Sequence, residues 1–158
     1  MDFPLPITVI RACFFLFLLS SATASADELK PFTTDGCSVF PDGSIKHQSL
    51  WVNCCIRHDL AYWKGGTYDE RLVADQTLQQ CVASVGEPEI AQIMLAGVRV
   101  GGSPYFPTFY RWGYGWDFPR GYQGLSESEQ QQVKNRIQMF MMMIDGISDE
   151  LKLTDQIQ

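Results

Sequence analysis

The sequence has no run of basic residues. Its 12 lysines and arginines are scattered among 18 aspartates and glutamates, for a formal net charge of −6. That balance argues against nucleic acid as a partner, because backbone phosphates need clustered cations, and it supplies no electrostatic pull toward anionic membranes. Internal repeats and low-complexity tracts are also missing, so nothing divides the chain into modules. Histidine is scarce, with His47 and His58 the two in the chain. The apolar run Ala12 to Leu19 is too short to span a bilayer.

That run has another reading. Arg11 precedes it and Ala24-Ser25-Ala26 follows it, which is the layout of a signal peptide with a small-x-small cleavage site. Residues 1–26 are therefore expected to be removed, with an uncleaved anchor as the alternative, and residues 27–158 to form one domain in a secreted or periplasmic location. Cleavage would discard Cys13 and leave Cys37, Cys54, Cys55 and Cys81, an even count that favours two disulfides in an exported chain. A domain of this size buries roughly two-thirds of its unfolded surface, so its core does not depend on the disulfides alone.

The most informative segment is Cys54-Cys55-Ile56-Arg57-His58-Asp59-Leu60-Ala61-Tyr62. A helix is expected from about Gln48 to Trp63, stopped by Gly65-Gly66. A second is expected from about Asp69 to Val85, with Asp69 and Glu70 in its first turn, where the helix dipole favours them. The short connection makes the two an antiparallel pair. In such a pair, facing residues keep a nearly constant sum of residue numbers. Cys54 with Cys81 and His58 with Asp75 differ in that sum by two residues, about 3 Å along a helix. One register therefore joins Cys54 to Cys81 and sets Asp75 beside His58. Cys55 points about 100° away from Cys54, which leaves it Cys37 in the preceding loop; a bridge between adjacent Cys54 and Cys55 would be strained. The expected pairs are Cys37 with Cys55 and Cys54 with Cys81.

That arrangement would pin the loop Asp35 to Gly43 over Asp59. Backbone carbonyls above a carboxylate suit a hard cation such as Ca²⁺, which takes six to eight oxygens. A histidine with one nitrogen engaged by Asp75 has the other free for base work near neutral pH. A zinc set of His47, His58 and the cysteines is disfavoured, because adjacent cysteines lack the usual bite.

Residues 35–81 resemble the secreted phospholipase A2 superfamily in its microbial form. The resemblance rests on Cys54-Cys55, His58-Asp59 and Tyr62 on the first helix, Asp75 and Cys81 on the second, and the loop before them. It implies a mainly α fold: an antiparallel, disulfide-stapled helix pair with a metal-binding loop and additional C-terminal helices. It implies calcium-dependent hydrolysis of phospholipid sn-2 esters at a membrane or micelle surface, with His58 as general base and Asp75 orienting it. Asp59 and the carbonyls of Gly36, Ser38 and Phe40 would hold Ca²⁺, and Tyr62 would hydrogen-bond Asp75. The loop has Phe40-Pro41 where the family's loop is richer in glycine, leaving Asp35 or Asp42 as alternative ligands. A catalytically inactive lipid-binding or toxin-like module on the same scaffold is the alternative function.

Beyond residue 86 the residues alone speak. Pro88 to Val98 reads as a third helix. Residues 101–123 form a loop dense in aromatics, suited either to a lipid interface and the mouth of an acyl pocket or to packing over the helices. Within it Arg111 is read either as a contact for a phosphate head group or as stacked on Trp112 or Trp116. Ser126 and Glu129 have capping-box spacing and open a last helix, residues 126–145, with Val133, Ile137, Phe140, Met141 and Ile144 as its apolar stripe.

Overall fold

The computed structural model describes residues 27–155; the expected signal segment, including Cys13, lies outside the described residues. Among the described residues there are four helices and no strand: α1 (Val52–Lys64), α2 (Tyr68–Ser84), α3 (Pro88–Gly101) and α4 (Glu127–Asp155). None of these helices is long and apolar enough to cross a membrane.

Helix α1 starts four residues later than the expected Gln48. The reason is local: Trp51 N–H donates to Asp42 O at 3.1 Å and its indole to Pro41 O at 2.7 Å, so this residue belongs to the loop it anchors. Helix α2 begins with a complete capping box, Thr67 and Glu70 each satisfying the other's backbone N–H. Only Gly65, Gly66 and Thr67 separate the two helices, and α1 packs on α2, which in turn packs on α3. Cys37 bonds to Cys55 and Cys54 to Cys81, the pairs expected from the register, with Cα separations of 4.9 and 5.7 Å.

Two buried clusters flank the middle of α1. Trp51, Cys54 and Cys55 at its start pack with Leu78, Val82, Ala91 and Met94. Trp63 near its end packs with Leu29, Trp116 and Val133. The polar segment His58 to Tyr62 lies between them in the sequence of the helix.

The aromatic loop divides its labour. Trp112 and Trp116 are buried, whereas Tyr105, Phe106, Phe109 and Phe118 are about half exposed or more. The buried part closes the end of α1, where a helix leaves carbonyls without partners. Gly113 N–H donates to Tyr62 O at 2.6 Å, Gly115 N–H to Trp63 O at 3.0 Å and the Trp116 indole to Lys64 O at 2.8 Å. The Trp112 indole reaches Gly66 O at 2.8 Å. Arg111 is buried, donating to Trp116 O at 2.6 Å, with its guanidinium over the Phe118 ring. The arginine stacked on Trp116 is Arg120, 4.3 Å from the ring centre.

Helix α4 opens with the Ser126–Glu129 capping box and runs ten residues past the expected end. Val133 is buried, Ile137 packs against the second cluster and Phe140 meets Phe32 edge-on at 5.4 Å. Met141 and Ile144, the rest of the expected stripe, are 51% and 44% exposed. Only the first half of the helix is held by the body of the protein through this stripe.

Candidate active site

Antiparallel packing of α1 and α2 places three side chains together at depth. His58 Nε2 lies 3.0 Å from Asp75 Oδ1, and Tyr62 donates its hydroxyl to the same oxygen at 2.7 Å. Asp75 is completely buried, and His58 is 9% exposed. A carboxylate can only accept, so with Asp75 as an anion the proton between the two would sit on His58 Nε2 and leave Nδ1 bare. The His58 and Tyr62 rings also lie against each other, with centres 4.1 Å apart. Burial and the neighbouring Asp75 charge hold the Tyr62 phenol far above its usual range, which keeps it a neutral donor.

Room for the phenol comes from Gly102, the residue capping α3: a Cβ there would sit 2.4 Å from the Tyr62 oxygen. Any side chain at 102 would displace Tyr62 from Asp75.

Asp59, one residue further along α1, faces another way. Its Oδ2 accepts the Thr34 hydroxyl at 2.7 Å. Burial pushes its carboxyl up to about 7, the Thr34 bond opposing the rise and Asp35 adding to it. Asp59 is thus a buried carboxylate for which a positive charge would compensate.

The loop preceding α1 turns through left-handed backbone at Gly36, φ 79°, and at Ser38, φ 53°. At Gly36 a Cβ would fall 2.3 Å from Asp42 Oδ1, the atom that accepts Cys37 N–H at 2.8 Å. Asp42 therefore braces the loop from inside, and Asp35 accepts the Ser38 hydroxyl at 2.9 Å. Phe40 N–H bonds to Ser38 O at 2.6 Å, which occupies one lone pair of that carbonyl and leaves the second.

These parts share a wall. A cavity of about 320 Å³ is lined by Gly36, Ser38 and Phe40 of the loop, by His58, Asp59 and Tyr62 of α1, and by Ile93, Met94, Gly97 and Val98 of α3. Val39 and Ile93 also line it and are 88% and 57% exposed, giving it an apolar rim. Of the residues expected at the site, Gly36, Ser38, Phe40, His58, Asp59 and Tyr62 border this cavity; Asp75 supports His58 and Tyr62 from behind, and the alternative ligands Asp35 and Asp42 do not line it.

Among the described residues, no three histidine, cysteine, aspartate or glutamate side chains are grouped to hold a metal ion. The donor set here is of another kind, one buried carboxylate beside a loop of backbone oxygens, and the hard-oxygen chemistry of Ca²⁺ fits it.

Three contributors lay outside the sequence reading. Thr34 holds Asp59. Arg71 and Arg99 approach Asp75, with nitrogens 3.9 and 3.0 Å from Oδ2. Arg71 carried a signal, since it precedes Asp75 by four residues on one helix face. Arg99 lies one residue past the expected end of α3, so no helical face was assigned to it. No protein-family model, curated protein or solved structure matches this chain.

Proposed function

We propose that the protein is a calcium-dependent hydrolase of phospholipid acyl esters at the sn-2 position, built on a phospholipase A2-like scaffold and acting at a membrane or micelle surface. The observation that carries this reading is the wall shared by His58, held by Asp75, and the buried Asp59 carboxylate, at a cavity with an apolar rim. His58 Nδ1 takes a proton from water, the resulting hydroxide attacks the ester carbonyl, and the proton passes on to the departing alkoxide. The products are a fatty acid and a lysophospholipid. Asp75 keeps the imidazole oriented through both transfers and stabilises the imidazolium between them.

Asp59 and the carbonyls of Gly36, Ser38 and Phe40 would hold Ca²⁺, which supplies a Lewis acid for the charge developing on the ester oxygen. The cavity lies in the size range of small-molecule sites, and its α3 wall of Ile93, Met94 and Val98 suits an acyl chain.

The test is fatty-acid release from mixed phospholipid vesicles, with Ca²⁺ or with chelator, by the parent protein, His58→Gln and Asp59→Asn. Loss of the base should lower the rate roughly 100-fold to 10,000-fold, and chelation or Asp59→Asn should abolish the calcium-dependent part. Vesicle binding without any release by the parent would instead identify a lipid-binding module on the same scaffold.

A further inference from the structure

Asp75 has no exposed surface, and a carboxylate so enclosed is stable as an anion only if its charge is balanced. Its two oxygens are used differently. Oδ1 meets His58 Nε2 at 3.0 Å and the Tyr62 hydroxyl at 2.7 Å. Oδ2 faces cations, Arg99 Nε at 3.0 Å and Arg71 Nε at 3.9 Å. Neither Oδ2 nor Arg99 Nε has a well-directed hydrogen bond, so this side of the contact is ionic.

Both arginines are fixed by other groups. Arg71 is 4% exposed and donates to the Tyr62 hydroxyl at 3.0 Å, to Val98 O at 2.8 Å, to Arg99 O at 3.0 Å and to the Tyr122 hydroxyl. Arg99 donates to Leu72 O at 3.2 Å. The pair thus ties the end of α3 to α2 and brings two positive charges to one carboxylate.

Without them, Asp75 would be fully enclosed with no fixed cation beside it, a setting in which a carboxylate is costly as an anion. A protonated Asp75 donates its O–H to His58 Nε2. The neutral imidazole must then carry its proton on Nδ1, the nitrogen that has to be bare to accept a proton from water. We propose that Arg99, backed by Arg71, selects the tautomer of His58 by keeping Asp75 an acceptor. Both arginines are positioning residues in this scheme. Its catalytic consequence rests on the reading of His58 as the base; the tautomer itself does not.

The experiment is nitrogen NMR of the histidine rings in the ¹⁵N-labelled, disulfide-bonded full chain. With two histidines in the sequence, exposed His47 serves as the internal reference. The parent is expected to show His58 protonated at Nε2 and bare at Nδ1. Arg99→Met should lose that tautomer and match Asp75→Asn, as asparagine in place of a triad aspartate leaves histidine in the wrong tautomer. Arg99→Lys should retain it. Should Arg99→Met fail to fold, Arg99→Gln keeps much of the stem, removes the charge and carries the same expectation. In the vesicle assay Arg99→Met should lose at least about 100-fold, with recovery in Arg99→Lys. A parent protonated at Nδ1, or a folded charge-free variant that keeps the parent tautomer, overturns the proposal. A tautomer that responds as expected in a protein that releases no fatty acid overturns the hydrolase reading and leaves the arginine clamp standing.

Discussion

Thr34 donates its hydroxyl to Asp59 at 2.7 Å, a neutral donor set against a buried carboxylate. In the unfolded chain Asp59 ionises near 3.8, and in the fold only near 7. Between those values the native state binds the extra proton, so raising the pH from 4 to 7 destabilises the chelated protein, through Asp59, by roughly 3–4 kcal/mol. Thermal unfolding at several pH values in chelator, compared with Asp59→Asn, isolates this contribution. The variant should lack this part of the pH dependence. Calcium should raise the melting temperature of the parent more at pH 7.5 than at pH 5, where the carboxyl is protonated, and should leave the variant unmoved.

The two disulfides should be separable. They close loops of 18 and 27 residues, so replacing either pair by serine should cost roughly 3–4 kcal/mol by the chain-entropy estimate. Their effects on the site differ. Loss of Cys37–Cys55 frees the loop that carries Gly36, Ser38 and Phe40 and should weaken calcium binding, measured by calorimetry, while the helix pair persists. Loss of Cys54–Cys81 loosens α1 from α2 and should slow turnover at saturating calcium. Equal calcium affinity in both variants would contradict the assignment of the loop carbonyls.

Gly97 lines the cavity, and a Cβ placed on it would meet nothing within 4 Å. Gly97→Leu should therefore fit, and should stabilise the protein by about 0.5–1 kcal/mol by replacing a mid-helix glycine. The leucine would nonetheless enter the space proposed for the acyl chain. Release of long-chain fatty acids should fall while hydrolysis of a short-chain, water-soluble ester is retained. A loss that is the same for both substrates would count against an acyl chain lying along α3.

Trp116→Phe removes the indole N–H that satisfies Lys64 O. The orphaned carbonyl should cost roughly 1–3 kcal/mol, seen as a lower midpoint in urea. Substitution of Phe109, 69% exposed, by serine should leave that midpoint within about 0.5 kcal/mol.

The helix pair and its staples were legible because antiparallel packing turns residue numbers into positions: Cys54, Cys81, His58 and Asp75 obey one register. The pairing of Tyr62 with Asp75 came with the resemblance, and the structure places the two in contact. Arg99 was not legible, because Gly97, Gly101 and Gly102 mark a helix end without saying which turn is the last. The aromatic loop could not be divided in advance, since tryptophan suits a core and a lipid surface alike; which indoles are buried was decided by the carbonyls at the end of α1. The far half of α4 carries helical periodicity with no surface in the described body to receive it, and periodicity alone does not show whether a face is covered.

Cys54 and Cys55 clamp α1 at its first turn, and the indole and glycine N–H groups clamp it at its last. A helix tied at both ends does not fray, so its central amides should exchange with deuterated solvent only when the whole domain unfolds. The second half of α4, with Met139 to Ile147 mostly exposed, should exchange through local opening long before. The segment bearing His58 and Asp59 would then form the slowest cooperative unit of the molecule, and any mobility that the proposed lipid substrate needs for entry would fall to the loop around Val39 and the exposed aromatics rather than to the proposed base.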